Sequence, residues 1–239
     1  MKTICYLSYG YPTIEHSLNM ARVYCAAGCD MIEVSIPAKD PFLDPEYVAA
    51  RMGDALAACS DYDVYLHKLE AFLCENPNIP VVLLMYEQTI LEIGVEKLLE
   101  FCSRCGIGDL IYGGLRDNSV KQNLINAGMR ISCPVTHQML DEDVQSVLAS
   151  NGFVYMEARP QKPPKSGFET LEQCITHLRE LGVTRPIYCG VGVRSPEDVR
   201  HVRISGGDGV FIGSTLIRLY NDEAALAQII RNFKAETVE

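Results

Sequence analysis

Short apolar runs alternate with longer stretches of mixed apolar and polar residues from one end of the chain to the other. The runs are TICYLS (3–8), MIEVSI (31–36), PVVLLM (80–85), DLIYG (109–113), RISCPVT (130–136), GFVYME (152–157), PIYCG (186–190) and GVFIG (209–213). Their length and near-continuous apolar character predict strands covered on both faces. The stretches between them carry helical periodicity over 14–27, 46–59 with 62–75, 94–105, 117–127, 141–150, 169–181, 196–204 and 222–234. Asp141, followed by Val144 and Leu148, reads as a helix cap, and Ser195-Pro196 reads as a cap with proline at the first helical position. Gly28, Gly106, Gly128 and Gly182 stand where helices should stop.

Strands that alternate with helices pair in parallel through right-handed crossovers. Eight such units predict a closed (β/α)8 TIM barrel in preference to an open doubly wound sheet. No linker or low-complexity stretch interrupts the pattern, so residues 1–239 are expected to form a single TIM-barrel domain. Chemistry in such barrels sits at the C-terminal ends of the strands and on the loops that follow. That rule selects which polar residues to consider.

Composition narrows the classes. The 239 residues are 48% hydrophobic and 22% charged, as in an ordinary globule, with a formal net charge of −10. No Lys/Arg cluster offers a nucleic-acid surface, and an anionic substrate must then be held by local backbone N–H groups. No segment reaches the roughly 18 apolar residues of a membrane span, and MKTICYLSYG lacks a signal-peptide pattern. A cytoplasmic protein is expected. The ten cysteines fall mostly inside predicted elements, as small apolar residues of a reduced protein. Cys102 and Cys105 have CxxC spacing, for which zinc or redox chemistry is the alternative to a buried structural role.

Two late loops carry a phosphate signal. CGVGVRSPED follows strand seven with Gly190 and Gly192, and FIGSTLIRLY follows strand eight with Gly213-Ser214 opening a helical turn. Barrels commonly bind phosphate with these two loops, where glycine lets the backbone approach and free N–H groups favour an anion. Tight turns without a ligand are the alternative.

Strand two carries an acid signal. Ile32, Val34 and Ile36 share one parity and suit the helix-facing side; Met31, Glu33 and Ser35 share the other and should point into the barrel. Desolvation there should raise the pKa of Glu33, as a residue that both gives and takes a proton requires. The alternative is a structural acid paired with a barrel Arg or Tyr. Asp44 lies on the loop that follows Pro37 and Pro41, either as a second acid of the site or as the cap of helix 46–59. Tyr86 after strand three either places a hydroxyl in the mouth or fills the core. His137 follows strand five, whereas His16, His67, His177 and His201 fall in helical patterns, which argues against a histidine metal centre. No strand core holds the lysine that a Schiff-base aldolase needs. The residues therefore point to metal-free, cofactor-free acid/base catalysis by carboxylates on a phosphorylated small molecule.

YLSYGYP, IEVSIPAKDPFLD, VVLLMY, GFVYMEAR, CGVGVRSPEDV and DGVFIGSTLI resemble, in order and from about residue 4 to 232, the tryptophan synthase alpha chain family. The resemblance implies a retro-aldol lyase that cleaves indole-3-glycerol phosphate to indole and glyceraldehyde 3-phosphate, with no cofactor of its own. Glu33 would protonate the indole C3 and take the proton from the glycerol hydroxyl. Asp44 would accept the indole N–H and stabilise positive charge on the ring. Gly190, Val191, Gly192, Gly213 and Ser214 would hold the phosphate, joined by Gly167, and Tyr86, Tyr155 and Arg159 match substrate-contacting positions. The family docks on a pyridoxal-phosphate tryptophan synthase beta chain, and residues 37–45 match part of that docking surface.

Several loops differ from the family pattern. Lys39 is new, Pro45 replaces a glycine, GGLRDNS follows strand four, Gln88-Thr89 replaces Asn-Pro, and EARPQKPPKSG replaces a lid that carries a threonine. The leading expectation is a tryptophan synthase alpha-type lyase. Two alternatives are a diverged paralogue acting on another phosphorylated substrate, and a non-catalytic subunit that activates a partner.

Overall fold

The parity of strand two is realised in the computed structural model, which describes residues 1–114 and 119–238. Ile32, Val34 and Ile36 join the large core between strands and helices, whereas Met31 joins Ile4, Val82, Phe153, Tyr188 and Phe211 in a separate cluster inside the barrel. A strand buried on both faces thus sorts its side chains into two cores, and only the inner one can meet a ligand in the mouth.

The strands are β1 (Lys2–Ser8), β2 (Met31–Ser35), β3 (Val81–Tyr86), β4 (Asp109–Gly113), β5 (Arg130–Ile131), β6 (Cys133–Val135), β7 (Val154–Glu157), β8 (Ile187–Gly190) and β9 (Gly209–Ile212). Their order is β5-β4-β3-β2-β1-β9-β8-β7-β6, and every pairing is parallel. Each predicted strand has its counterpart, with one divided. The run 130–136 breaks at Ser132 because its halves serve different neighbours: Ser132 N–H donates to Leu110 O (3.0 Å) on one side and Cys133 N–H to Phe153 O (3.3 Å) on the other. The ring therefore closes through Ser132, and β5 and β6 together are the fifth strand of a TIM barrel.

The helices are α1 (Ile14–Ala26), α2 (Glu46–Ala58), α3 (Tyr62–Glu75), α4 (Glu87–Ile93), α5 (Val95–Cys105), α6 (Ser119–Asn126), α7 (Asp141–Ala149), α8 (Leu171–Glu180), α9 (Pro196–Ile204), α10 (Ser214–Arg218) and α11 (Glu223–Ala235). None of them is long and apolar enough to cross a membrane. Helix α4 lies outside the helical stretches that the periodicity predicts. Gln88 and Thr89 lie inside it, and Thr89, Ile90 and Ile93 are buried, but seven residues are too few for periodicity to stand out. Asp141 is the first residue of α7 rather than its cap, which is Leu140; with Glu142 and Asp143 it puts three acids in the first turn, where the helix dipole favours them. At α9 the Asp198 carboxylate accepts from the Ser195 N–H (3.0 Å) and hydroxyl (3.2 Å), as a capping residue pair should. The GGLRDNS stretch after β4 falls mainly on residues 115–118, outside the described residues.

All ten cysteines are free thiols. Cys102 is buried in the outer core and Cys105 packs against it. Burial pushes their thiols up to about 12 and about 11, away from the thiolate form that metal or disulfide chemistry uses. The structural reading of this CxxC is the one the fold supports.

Candidate active site

Glu33 sits at the middle of β2, in register with Tyr6 on β1 and Val82 on β3. It is 4% exposed and makes no hydrogen bond or ion pair among the described residues. The alternative of a structural acid paired with a barrel Arg or Tyr therefore has no partner to support it. Burial, and then the negative charge of Asp44, raise its carboxyl to about 8. An acid at that value is protonated at neutral pH and close to releasing its proton.

Asp44 is held by the loop rather than by the helix. Its N–H closes a turn onto Pro41 O (3.0 Å), and Pro45, not Asp44, is the N-cap of α2. Its carboxylate is free for the mouth, where Oδ2 accepts the Tyr86 hydroxyl at 2.6 Å. Burial raises its pKa, and the Tyr86 hydrogen bond works against that rise by favouring the charged form. The same Tyr86 oxygen accepts the Leu43 N–H (3.3 Å), and its ring meets Phe42 edge-on at 5.3 Å. Tyr86 is thus buried and also reaches the mouth, where its hydroxyl holds the loop's acid.

Two hollows open on this pair. The larger, about 430 Å³, runs toward the loops after β8 and β9; the smaller, about 310 Å³, runs over β3, β4 and the fifth strand. Glu33, Asp44, Leu84 and Tyr155 line both. The two acids stand at the waist of a two-lobed site, so a molecule spanning it presents its middle to them.

The larger lobe offers the donors that an anion would need. Val191, Gly192, Val193, Gly213 and Ser214 line it. The N–H groups of Val191, Gly192, Val193 and Gly213 donate to no acceptor among the described residues. Gly192 has φ +97°, and a side chain there would meet Cβ of Arg159 at 2.5 Å, so the turn needs glycine on two counts. Thr215 Oγ1 donates to Arg194 O (3.3 Å) and fastens the two turns together.

The smaller lobe is walled by apolar and aromatic groups. Leu84, Ile111, Tyr86, Tyr112 and Pro134 supply apolar and aromatic walls, and Tyr155 is stacked on Phe211 at 4.7 Å. The Tyr112 hydroxyl is fixed by Glu87. Such a slot suits a flat aromatic group.

Three expected site residues stand elsewhere. Gly190 does not line either lobe; a Cβ there would lie 2.1 Å from the Tyr155 hydroxyl, so its part is to leave room for that ring. Arg159 is turned away from the cavity, because its guanidinium pairs with Asp198 Oδ1 at 2.6 and 3.0 Å. Gly167 lies on a separate outer hollow with Phe168 and Glu172, its N–H spent on Glu169 Oε1 (3.0 Å). His137 is also outside the cavity; it is buried, with its N–H on Glu157 Oε2 (3.3 Å) and ring Nδ1 3.1 Å from Phe168 O.

The cavity also uses residues not singled out beforehand. Gln161 enters from the loop after β7, with its N–H on Glu157 Oε1 (3.0 Å) and its amide nitrogen on Arg159 O (3.0 Å). Arg194 and Arg218 lie within the two glycine motifs and line the larger lobe. Their positions in GVGVRSPED and IGSTLIRLY were visible; the direction of their side chains was not.

A barrel with a buried acid on its second strand, an acid on the loop after it and unengaged N–H groups on its last two loops belongs to the class of (β/α)8 barrels with a site at the C-terminal ends of the strands. A sequence model of the tryptophan synthase alpha chain family matches residues 1–238, and the chain belongs to that family. Curated relatives include the tryptophan synthase alpha chain of Carboxydothermus hydrogenoformans, 29% identical over 90% of this chain and 82% of that one. That of Prochlorococcus marinus subsp. pastoris is 28% identical over 89% of this chain and 78% of that one. A protein of Aquifex aeolicus VF5 has the same fold, with a TM-score of 0.86 at 24% identity over 100% of this chain and 93% of that one. In the aminoacrylate-bound tryptophan synthase of M. tuberculosis the corresponding values are 0.82, 24%, 99% and 93%.

Proposed function

We propose that the chain, read as one barrel domain over residues 1–239, cleaves indole-3-glycerol phosphate to indole and glyceraldehyde 3-phosphate. The observation that carries this reading is the shared waist: Glu33 and Asp44 lie where the two lobes meet, between an aromatic slot and an anion pocket. The indole fits the slot, the phosphate fits the lobe with Val191, Gly192, Val193, Gly213 and Ser214, and the scissile bond falls between them.

Glu33 begins protonated and gives its proton to ring carbon C3. The ring becomes cationic, and Asp44 accepts the indole N–H and stabilises that charge. Glu33, now a carboxylate, takes the proton of the adjacent glycerol hydroxyl. The carbon–carbon bond breaks, its electron pair returns to the ring as neutral indole, and the hydroxyl carbon becomes the aldehyde. A carboxyl near 8 suits both halves of this cycle, because neither protonation state is strongly preferred.

Partner docking follows the same reading. Phe42 and Leu43 are 43% and 67% exposed on the loop that carries Asp44. An apolar loop tied to the catalytic acid suits a tryptophan synthase beta chain, whose binding would then act on Asp44. Action in the cytoplasm is supported by ten free thiols.

A second reading, another phosphorylated substrate, is favoured by one feature. The loop after β7 brings Gln161 into the cavity and has no clear counterpart of the family's threonine. Product analysis separates the two: indole and glyceraldehyde 3-phosphate released in equal amounts from indole-3-glycerol phosphate support the first, and no release supports the second.

A further inference from the structure

Arg194 and Arg218 stand on the turns after β8 and β9, and both line the anion lobe. Both side chains are exposed, and neither makes a hydrogen bond or ion pair among the described residues. Among the other described arginines only Arg231 shares this, and it stands on α11, outside the cavity. Acids outnumber bases by 31 to 21, and Arg104, Arg130, Arg159, Arg179 and Arg200 all have carboxylate partners.

The surroundings keep these two free. Asp198 is the acid bonded to the Arg194 backbone, but its Oδ1 is taken by Arg159, and its Oδ2 accepts the N–H groups of Arg194 (2.9 Å) and Ser195 (3.0 Å). The Arg194 backbone is thereby anchored while its guanidinium is left without a counterion among the described residues. The Thr215–Arg194 hydrogen bond holds the second turn, and with it Arg218, against the first.

The four unengaged N–H groups of the lobe are neutral donors. They recognise phosphate oxygens by shape and gain little from the second charge of a phosphate. Guanidinium groups add charge-assisted, bidentate hydrogen bonds that do depend on it. We propose that Arg194 and Arg218 are the charge-reading part of this pocket, and that through them the site selects a dianionic phosphate monoester over a singly charged head group of the same shape. The proposal rests on reading the lobe as a phosphate pocket.

Calorimetric titration of the full chain with glycerol 3-phosphate, and with its singly charged methyl diester, tests it. The proteins compared are wild type, R194Q, R218Q and the double variant, each checked for folding by circular dichroism. The wild type should prefer the monoester, each single variant should bind it roughly tenfold more weakly, and the double variant should lose the preference. Wild-type affinity should also fall with added salt more steeply than that of the double variant. If the wild type binds and the double variant keeps both affinity and preference, the arginine assignment is overturned while the pocket stands. If the wild type binds neither compound, the phosphate reading of the lobe fails and takes the assignment with it.

Discussion

Tyr86 and Asp44 are joined by a hydrogen bond of 2.6 Å that crosses from the end of β3 to the loop after β2. It fixes the second acid of the site to the barrel wall and favours its charged form. Removing the hydroxyl in Y86F should therefore raise the Asp44 pKa further, and it should also leave the Leu43 N–H without its acceptor. The expected result is a fall in kcat of about 10- to 100-fold with the acidic limb of the kcat/KM profile moved to higher pH. A pH–rate comparison of Y86F with wild type measures both; an unmoved acidic limb would separate Tyr86 from Asp44.

Glu33 links the site to stability. Its folded pKa, about 8, lies above the ordinary 4.5, so the folded state binds more protons than the unfolded state between those values. Stability from this group is full below pH 4.5 and is lost as pH rises through 8, by on the order of 5 kcal/mol in total. In E33Q nothing titrates there. The unfolding free energy of E33Q relative to wild type should thus grow from pH ~5 to pH ~8, as read by urea denaturation across that range. A difference that stays constant with pH would mean that Glu33 is ionised in the folded protein.

Gly190 has a steric role beneath the ring lobe. An alanine methyl would lie 2.1 Å from the Tyr155 hydroxyl, and Tyr155 is backed by Phe211 and cannot simply retreat. G190A is expected to cost about 1–3 kcal/mol through overpacking and to raise KM by distorting a wall that both lobes share. Thermal unfolding and steady-state kinetics check the pair of effects; a variant altered in neither would mean that Tyr155 has room to move.

What could be read beforehand was what depends on local pattern. Strand two announces Glu33 because a two-residue period assigns each side chain to a face, and the polar residue is conspicuous among apolar neighbours. The loop after β2 announces Asp44 only as a cap or a site acid, and the choice needed Tyr86, 42 residues away. Arg159 shows the limit most directly. Its position matches a substrate contact, but Asp198, 39 residues on, holds it outside the cavity. Gly167 and Gly190 cannot be sorted from sequence, because a glycine in a loop looks the same whether it approaches a ligand, a neighbouring ring or solvent. The break at Ser132 likewise follows from the different partners of two half-strands, which no single run of residues records.

The central claim is that Glu33 and Asp44 cleave a molecule bridging an aromatic slot and a phosphate pocket. Its most direct test is indole release from indole-3-glycerol phosphate by purified wild type and E33Q, each with and without a beta chain. Wild type should release indole in both conditions, and E33Q should release none in either while keeping its fold. Indole formed by E33Q at the wild-type rate, or none formed by wild type in either condition, would contradict the claim.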